Sequence, residues 1–376
     1  MTQPPQNGRP AVLIVCSAVG PLGSPVTGGV LRFAVNVARA LIDLGFSVTV
    51  IHPAAEPLPS LPALGFAPAV RALPVEGALQ PTAAQGSVGE MWPAVQGGVL
   101  AAMMQRAFEV QGEFDLILNL NHDWLPFYLT PFFATPLVHV ANLCQSDAAT
   151  DQQVTVLGRA GSRRVAFVSR FQAELFDCGE AVVLPAGLDP DKYPLGDGAA
   201  YDIAWAGRIV PAKGLERALM LAKSSGAVLH IAGHVEDANY WAPLASEYAG
   251  SYVYHGHLGT AELADLIGSS RIFLQTQNWL EALGIVTIES MLCGTPVVAL
   301  ARGANTEIVV EGVGGYLLAP DCGEEAFAAA AAAAARLDRG RCREAAIERH
   351  AFPALRAALA SWCATRLGEH SKLITT

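Results

Sequence analysis

Short apolar runs alternate with helical repeats along nearly the whole chain, and this alternation predicts βαβ units with mostly parallel sheets. The run at 11–16, Ala11-Val12-Leu13-Ile14-Val15-Cys16, is continuously apolar, as a strand buried on both faces requires. An amphipathic helical pattern over 30–44 stops at Gly45, and a second strand follows at 47–51. Residues 53–96 are rich in Pro, Gly and Ala without a strong period, and a helix is predicted over 91–111. Strands are predicted at 115–119, 136–140 and 165–169, then a helix over 171–176 and a strand at 182–184.

A Pro/Gly/Asp-rich stretch at 189–200 reads as a linker, and a second α/β series follows it. Its predicted strands are 203–206, 228–232, 252–255, 272–274 and 296–300. Its helices are 215–224, 260–267 with Thr260 as cap, and 285–293 stopped by Gly294. The alanine run 328–335 is helical by propensity alone, and a last helix covers 352–367. The fold class is therefore α/β, with an N-terminal domain at 8–190, a second at 200–350 and a closing segment at 351–376.

Composition narrows the function. At 376 residues the chain can hold two domains with full cores, and 52% hydrophobic with 15% charged residues is globular. A net charge of −10 argues against nucleic acid as the main partner. The seven cysteines are scattered without a Cys-x-x-Cys pair, which suits reduced, buried thiols. The polar start carries a single Arg, and the run at 11–16 is too short to span a bilayer. The expectation is a cytoplasmic protein without an integral membrane segment; oligomeric state is not legible.

Two carboxylates stand out. Glu281 and Glu289 are eight positions apart in a stretch otherwise apolar, and a carboxylate among Ile288, Met291 and Leu292 is costly unless something polar meets it. Gly284 frees the backbone to turn before the predicted helix. That places Glu281 in the loop and Glu289 just over one turn inside, a spacing that suits two hydroxyl-bearing parts of one extended ligand. Gly207-Arg208-Ile209-Val210-Pro211-Ala212-Lys213-Gly214 leaves a strand and opens a helix, so Arg208 and Lys213 stand where a diphosphate can bind, or as two solvated loop charges. Gly28-Gly29 precedes the first helix and suits either a phosphate approach or a plain tight turn. No Gly-x-Gly-x-x-Gly follows the first strand, which weakens a dinucleotide fold. His255-x-His257 reads as polar edge histidines more readily than as a metal pair, and no Asp-x-Asp motif stands at a strand end, so no metal site is assigned. His122, Asp123, Trp124 and Tyr128 leave a strand of the first half; the stretch suits an acceptor pocket, or a helix start capped by Asp123.

The double-Glu stretch resembles the E-x7-E signature of family-4 retaining glycosyltransferases, which have the GT-B fold. Residues 207–214 resemble the same family's G-R-x-x-x-x-K-G motif. The resemblance implies two Rossmann-like domains facing a central cleft, with the chain's end crossing back onto the first domain. It implies that Arg208 and Lys213 hold the donor pyrophosphate, Glu281 meets the donor sugar and Glu289 the ribose. Gly28, Gly29, Leu258, Leu283, Gly284 and Ile285 complete the implied donor set. Residues 135–142 match a segment that often ends in a functional His; this chain has Asn142 there and His139 three residues earlier. Residues 19–24, Gly28-Gly29 and 114–133 are similar to the bacterial UDP-glucose:tetrahydrobiopterin glucosyltransferases. That narrower resemblance implies a UDP-sugar donor substrate, no cofactor and a reduced pterin as small-molecule acceptor, bound near His122, Asp123, Trp124, Tyr128, His139 and Asn142. A family-4 enzyme acting on a sugar or lipid-linked acceptor, a phosphorylase or epimerase sharing the donor site, and an inactive sugar-nucleotide-binding module are the other readings.

Overall fold

The computed structural model describes residues 9–19, 28–54, 60–77, 98–159, 163–178 and 181–367. Two compact units divide the chain: residues 1–187 with 352–376, and residues 188–351.

The first unit holds a seven-stranded parallel sheet. Its strands are β1 (Ala11–Val15), β2 (Ser47–Pro53), β3 (Arg71–Val75), β4 (Leu116–Asn119), β5 (Leu137–Ala141), β6 (Val165–Phe167) and β7 (Val182–Val183). They lie in the order β3-β2-β1-β4-β5-β6-β7, with every pairing parallel. β1, β4 and β5 are buried along their whole length, and β1 for that reason reads as an unbroken apolar run, while Asn119 in β4 and His139 in β5 are buried polar residues. β3 has no counterpart among the strands that the sequence pattern predicts. It is an edge strand with Pro74 inside and no fully buried residue, so it lacks the apolar run that marks the central strands. Of the helix predicted over 91–111, Val99–Val110 is helical. Residues 91–97, most of 53–96 and residues 20–24 of the opening stretch lie outside the described residues.

The closing helix, Phe352–Leu367, belongs to this first unit. Leu355, Leu359, Trp362 and Cys363 bury one side of it, the Trp362 indole donates to the Arg163 carbonyl at 2.7 Å, and Arg39 lies 4.3 Å over the Phe352 ring.

The second unit holds a six-stranded parallel sheet: β8 (Tyr201–Ala206), β9 (Leu229–Ala232), β10 (Tyr252–Tyr254), β11 (Ser270–Gln275), β12 (Val297–Leu300) and β13 (Gly315–Leu318). The order is β10-β9-β8-β11-β12-β13. One face packs Trp205, Ile231, Leu274 and Val298 against the helix Leu215–Ser224 and Phe327 of the alanine-rich helix Glu324–Ala334. The stretch read as a linker is part of this unit. Arg343 donates to the carbonyls of Pro190, Tyr193 and Leu292, and Arg339 to that of Gly196. One cap differs from expectation. Thr260 is the first helical residue, and Gly259 is the cap, its N–H donating to the Glu262 carboxylate at 2.9 Å. Among the described residues no helix is long and apolar enough to cross a membrane.

Candidate functional site

In the second unit β8 and β11 are neighbours, and the chain leaves them in opposite directions across the sheet. Ligands of open α/β sheets bind at such a reversal, outside the carboxyl ends of the strands. The two loops leaving those ends are 207–214 and 276–284, and they are laced together. Asn278 N–H donates to Ala212 O at 2.8 Å, and the Thr276 hydroxyl to Gly214 O at 2.8 Å. Gly214 turns at φ 64, with Thr276 O only 2.0 Å from where a Cβ would stand, so the close approach requires glycine. The loop after β12 closes the far side. Arg302 donates to Asn278 O at 2.9 Å, and Ala304 N–H to Glu281 O at 2.8 Å.

This lacing brings Lys213 and Glu281 together. The Lys213 ammonium lies 2.7 Å from Glu281 Oε2 and 4.5 Å over the Trp279 ring, whose indole N–H also donates to Glu281 Oε2 at 3.0 Å. Burial alone would push the Glu281 carboxyl up. The charge and hydrogen bond of Lys213, helped by Trp279 and Arg208, outweigh it and hold the carboxyl below its usual range. Arg208 is held by Glu236, with Nη1 2.9 Å and 2.7 Å from the two carboxylate oxygens. Neither cation is a free solvated charge.

Gly284, at φ 67, is the left-handed residue that starts the helix Ile285–Leu292. Leu283 is buried behind it and Ile285 is half-buried at the helix start. Glu289 is 1% exposed one turn further in, where the Tyr193 hydroxyl donates to its Oε1 at 2.8 Å. Leu258 is half-buried in the loop after β10, two strands from β8. His255 pairs with His230, ring nitrogens 3.0 Å apart, while His257 is exposed. Among the described residues no three His, Cys, Asp or Glu side chains gather as metal ligands.

The first unit repeats the topology, with its reversal between β1 and β4. Asn121, leaving β4, accepts from Ala18 N–H at 2.7 Å and donates to Cys16 O at 2.8 Å, tying the two strand ends together. His122 follows. Its two ring nitrogens are buried beside Phe127 and Phe176 without a hydrogen-bond partner among the described residues, and burial pushes its pKa down to about 4. Asp123 caps the helix Trp124–Leu129, accepting from Leu125 N–H at 2.9 Å. Trp124 and Tyr128 stack with centroids 4.5 Å apart, and both are exposed. Gly28 and Gly29 open the helix Gly28–Asp43 in this unit. Asn142 donates to Leu120 O at 2.9 Å.

His139 does not join this group. It is 0% exposed on β5, its ring nitrogens 2.8 Å from the Thr130 hydroxyl and 3.1 Å from Asn119 Nδ2, and burial drives its pKa down to about 3. It is a neutral core histidine with both nitrogens occupied, so the side chain reaches no surface where an acceptor could lie. Sequence reading also missed Trp279, Glu236 and Tyr193. A Trp two residues before a Glu was the one visible signal; the other two are separated from their partners by 28 and 96 residues.

Residues 197–349 match the family model described as Glycosyl transferases group 1. The D-inositol 3-phosphate glycosyltransferase of Kribbella flavida is 27% identical over 89% of this chain and 90% of its own. The chain is a glycosyltransferase. Among solved structures, the transferase resembles sucrose-phosphate synthase from Thermosynechococcus elongatus, with a TM-score of 0.74 and 16% identity over 94% of this chain and 98% of that one. It also resembles Anabaena HepE, solved in complex with UDP-glucose, with a TM-score of 0.69 and 15% identity over 94% and 99% of the two chains. These likenesses give the transferase the GT-B class of α/β fold.

Proposed function

We propose that the enzyme transfers glucose from UDP-glucose, with retention at the anomeric carbon, to a reduced pterin such as tetrahydrobiopterin. The carrying observation is the Lys213–Glu281–Trp279 group beside Arg208, at the sheet reversal of the second unit. Arg208 and Lys213 take the charge of the donor diphosphate, Glu281 meets the sugar, and Glu289 takes the ribose hydroxyls. The bond from C1 to the diphosphate oxygen breaks while the acceptor hydroxyl oxygen bonds to C1 on the same face. The acceptor's proton passes to the departing diphosphate. The protein contributes position and preorganised charge. HepE, a structural neighbour solved with UDP-glucose, supports this donor.

The acceptor reading rests on the first unit. A flat heterocycle stacks on exposed aromatic rings, and Trp124 and Tyr128 present such a pair next to Asp123. A second reading, a polyol phosphate acceptor, is favoured by the name of the Kribbella relative. The test is product analysis with UDP-glucose against tetrahydrobiopterin, inositol phosphate, simple sugars and lipid-linked acceptors, with and without EDTA. The expected product is an α-glucosyl pterin, formed at an undiminished rate under chelation because the cationic side chains carry the diphosphate charge. Transfer to the other acceptors and to no pterin removes the pterin. Loss of activity in EDTA, restored by Mg²⁺ or Mn²⁺, removes the metal-independent mechanism.

Asp123 separates two roles. Asn caps a helix nearly as well as Asp, so Asp123→Asn is expected to change stability by no more than about 0.5 kcal/mol. A carboxylate accepting paired hydrogen bonds from the amino-pyrimidine edge has no equal in Asn, so the acceptor KM is expected to rise about tenfold with donor KM unchanged. An unchanged acceptor KM leaves Asp123 as a cap alone.

A further inference from the structure

Arg208 reaches the site with one of its three guanidinium nitrogens already committed. Both hydrogen bonds to Glu236 come from Nη1, while Nη2 and Nε make none among the described residues. The pair is sheltered, with side-chain exposures of 27% for Arg208 and 8% for Glu236. Glu236 is also fixed to the strand end that carries Arg208. Val235, the residue before it, bridges to Ile209, and Asp237, the residue after it, donates its N–H to Ile209 O at 3.2 Å. Ile209 N–H donates to His234 O at 2.8 Å, and Gly207 N–H to Ala232 O at 3.1 Å. A Cβ on Gly233 would stand 1.8 Å from Gly207 O, so the two loops run in direct backbone contact. Asp237 then caps the helix Ala238–Glu247, accepting from Tyr240 N–H at 3.0 Å. The carboxylate thus moves with the backbone that bears Arg208, and does not sample the solvent as a surface partner would.

We infer that Glu236 is a positioning residue that grips Arg208 by one nitrogen and presents its remaining donors to the donor diphosphate. The inference rests on the reading of Arg208 as a diphosphate ligand. A long side chain bound at one point loses most of its rotamer freedom before the ligand arrives, so less ordering is left for binding. Arg208 and Glu236 together carry no net charge, as do Lys213 and Glu281. Both cations are therefore oriented by a carboxylate partner, and meet the diphosphate charge with N–H groups already in place.

The experiment is a double-mutant cycle read by calorimetric binding of UDP and of uridine, which lacks the diphosphate. The proteins are wild type, Glu236→Ala, Glu236→Gln, Arg208→Ala and the double alanine variant. Glu236→Ala is expected to weaken UDP about tenfold and to leave uridine within about twofold. In the Arg208→Ala background the same change is expected to add less than about twofold, because the partner it positions is gone. Glu236→Gln, whose amide oxygen still accepts from Nη1, is expected to stay within about threefold of wild type. Equal loss of UDP and uridine, equal loss in both backgrounds, or no loss in Glu236→Ala each overturns the inference. If Arg208→Ala binds UDP like wild type, the diphosphate reading fails and the inference falls with it. If Arg208→Ala weakens UDP but Glu236→Ala does not, only the inference falls.

Discussion

Lys213→Ala is expected to lower turnover at saturating donor about 100-fold, corresponding to about 3 kcal/mol of lost transition-state stabilisation. The ammonium is fixed before any ligand binds, between Glu281 Oε2 at 2.7 Å and the Trp279 ring at 4.5 Å. Charge grows on the diphosphate as the glycosidic bond breaks, so a donor held in place acts more on the transition state than on the bound substrate. The variant also leaves Glu281 facing Trp279 without its cation. In the wild type the carboxyl lies below its usual range. Its ionised form therefore adds stability above the unfolded-state pKa, and that contribution fades as pH falls through the folded-state pKa. Without Lys213, burial is the largest remaining influence and pushes the carboxyl upward. Turnover measured against pH, with UDP affinity measured separately, checks both points. Near-wild-type turnover in the variant removes Lys213 from the chemistry.

Arg339→Ala is expected to destabilise the second unit by about 4 kcal/mol, because it removes several hydrogen bonds from one sheltered cation at once. Its Nε donates to Gly196 O at 2.7 Å, Nη1 to Ser270 O at 3.1 Å, and Nη2 to Gly268 O at 2.8 Å and the Thr295 hydroxyl at 2.6 Å. Arg339→Lys recovers only part of that set, since an ammonium is not a planar fork. The loss falls at the amino end of β11, whereas Lys213 and Glu281 stand beyond its carboxyl end. UDP affinity below the unfolding transition should therefore be unchanged. Urea denaturation followed by the emission of Trp205 and its neighbours reads the stability. A midpoint equal to wild type shows that these hydrogen bonds exchange with water at no cost.

The central strands were legible because burial on both faces leaves an uninterrupted apolar run, as in Ala11–Val15 and Val297–Leu300. Edge and half-buried elements were not. Gly315–Leu318 has one buried residue in four, and the helix Ala238–Glu247 carries Pro243 in its interior and a single buried leucine. The unusual carboxylates Glu281 and Glu289 were visible because charge in an apolar stretch is costly and conspicuous. Their partners were not, since Lys213 meets Glu281 across 68 residues and Tyr193 meets Glu289 across 96. Such pairings follow from which strands the sheet makes adjacent, and hydrophobic periodicity does not encode that order. His139 shows the converse. A histidine beside a strand end looks chemically available in sequence, and the fold places it in the core.

The closing helix has a consequence for synthesis. Residues 188–351 are contiguous, whereas the first unit is assembled from the two ends of the chain. On a ribosome adding roughly 5–20 residues per second, the first 187 residues wait roughly 10–40 s before Phe352–Leu367 can join them. During that interval the helix Gly28–Asp43 lacks the neighbour that buries Leu355, Leu359 and Trp362. The second unit can complete first although it begins later. Nascent-chain proteolysis should find residues 188–351 protected while the earlier segment is still open to cleavage, and a chain ending at Ala351 should retain that vulnerability after release.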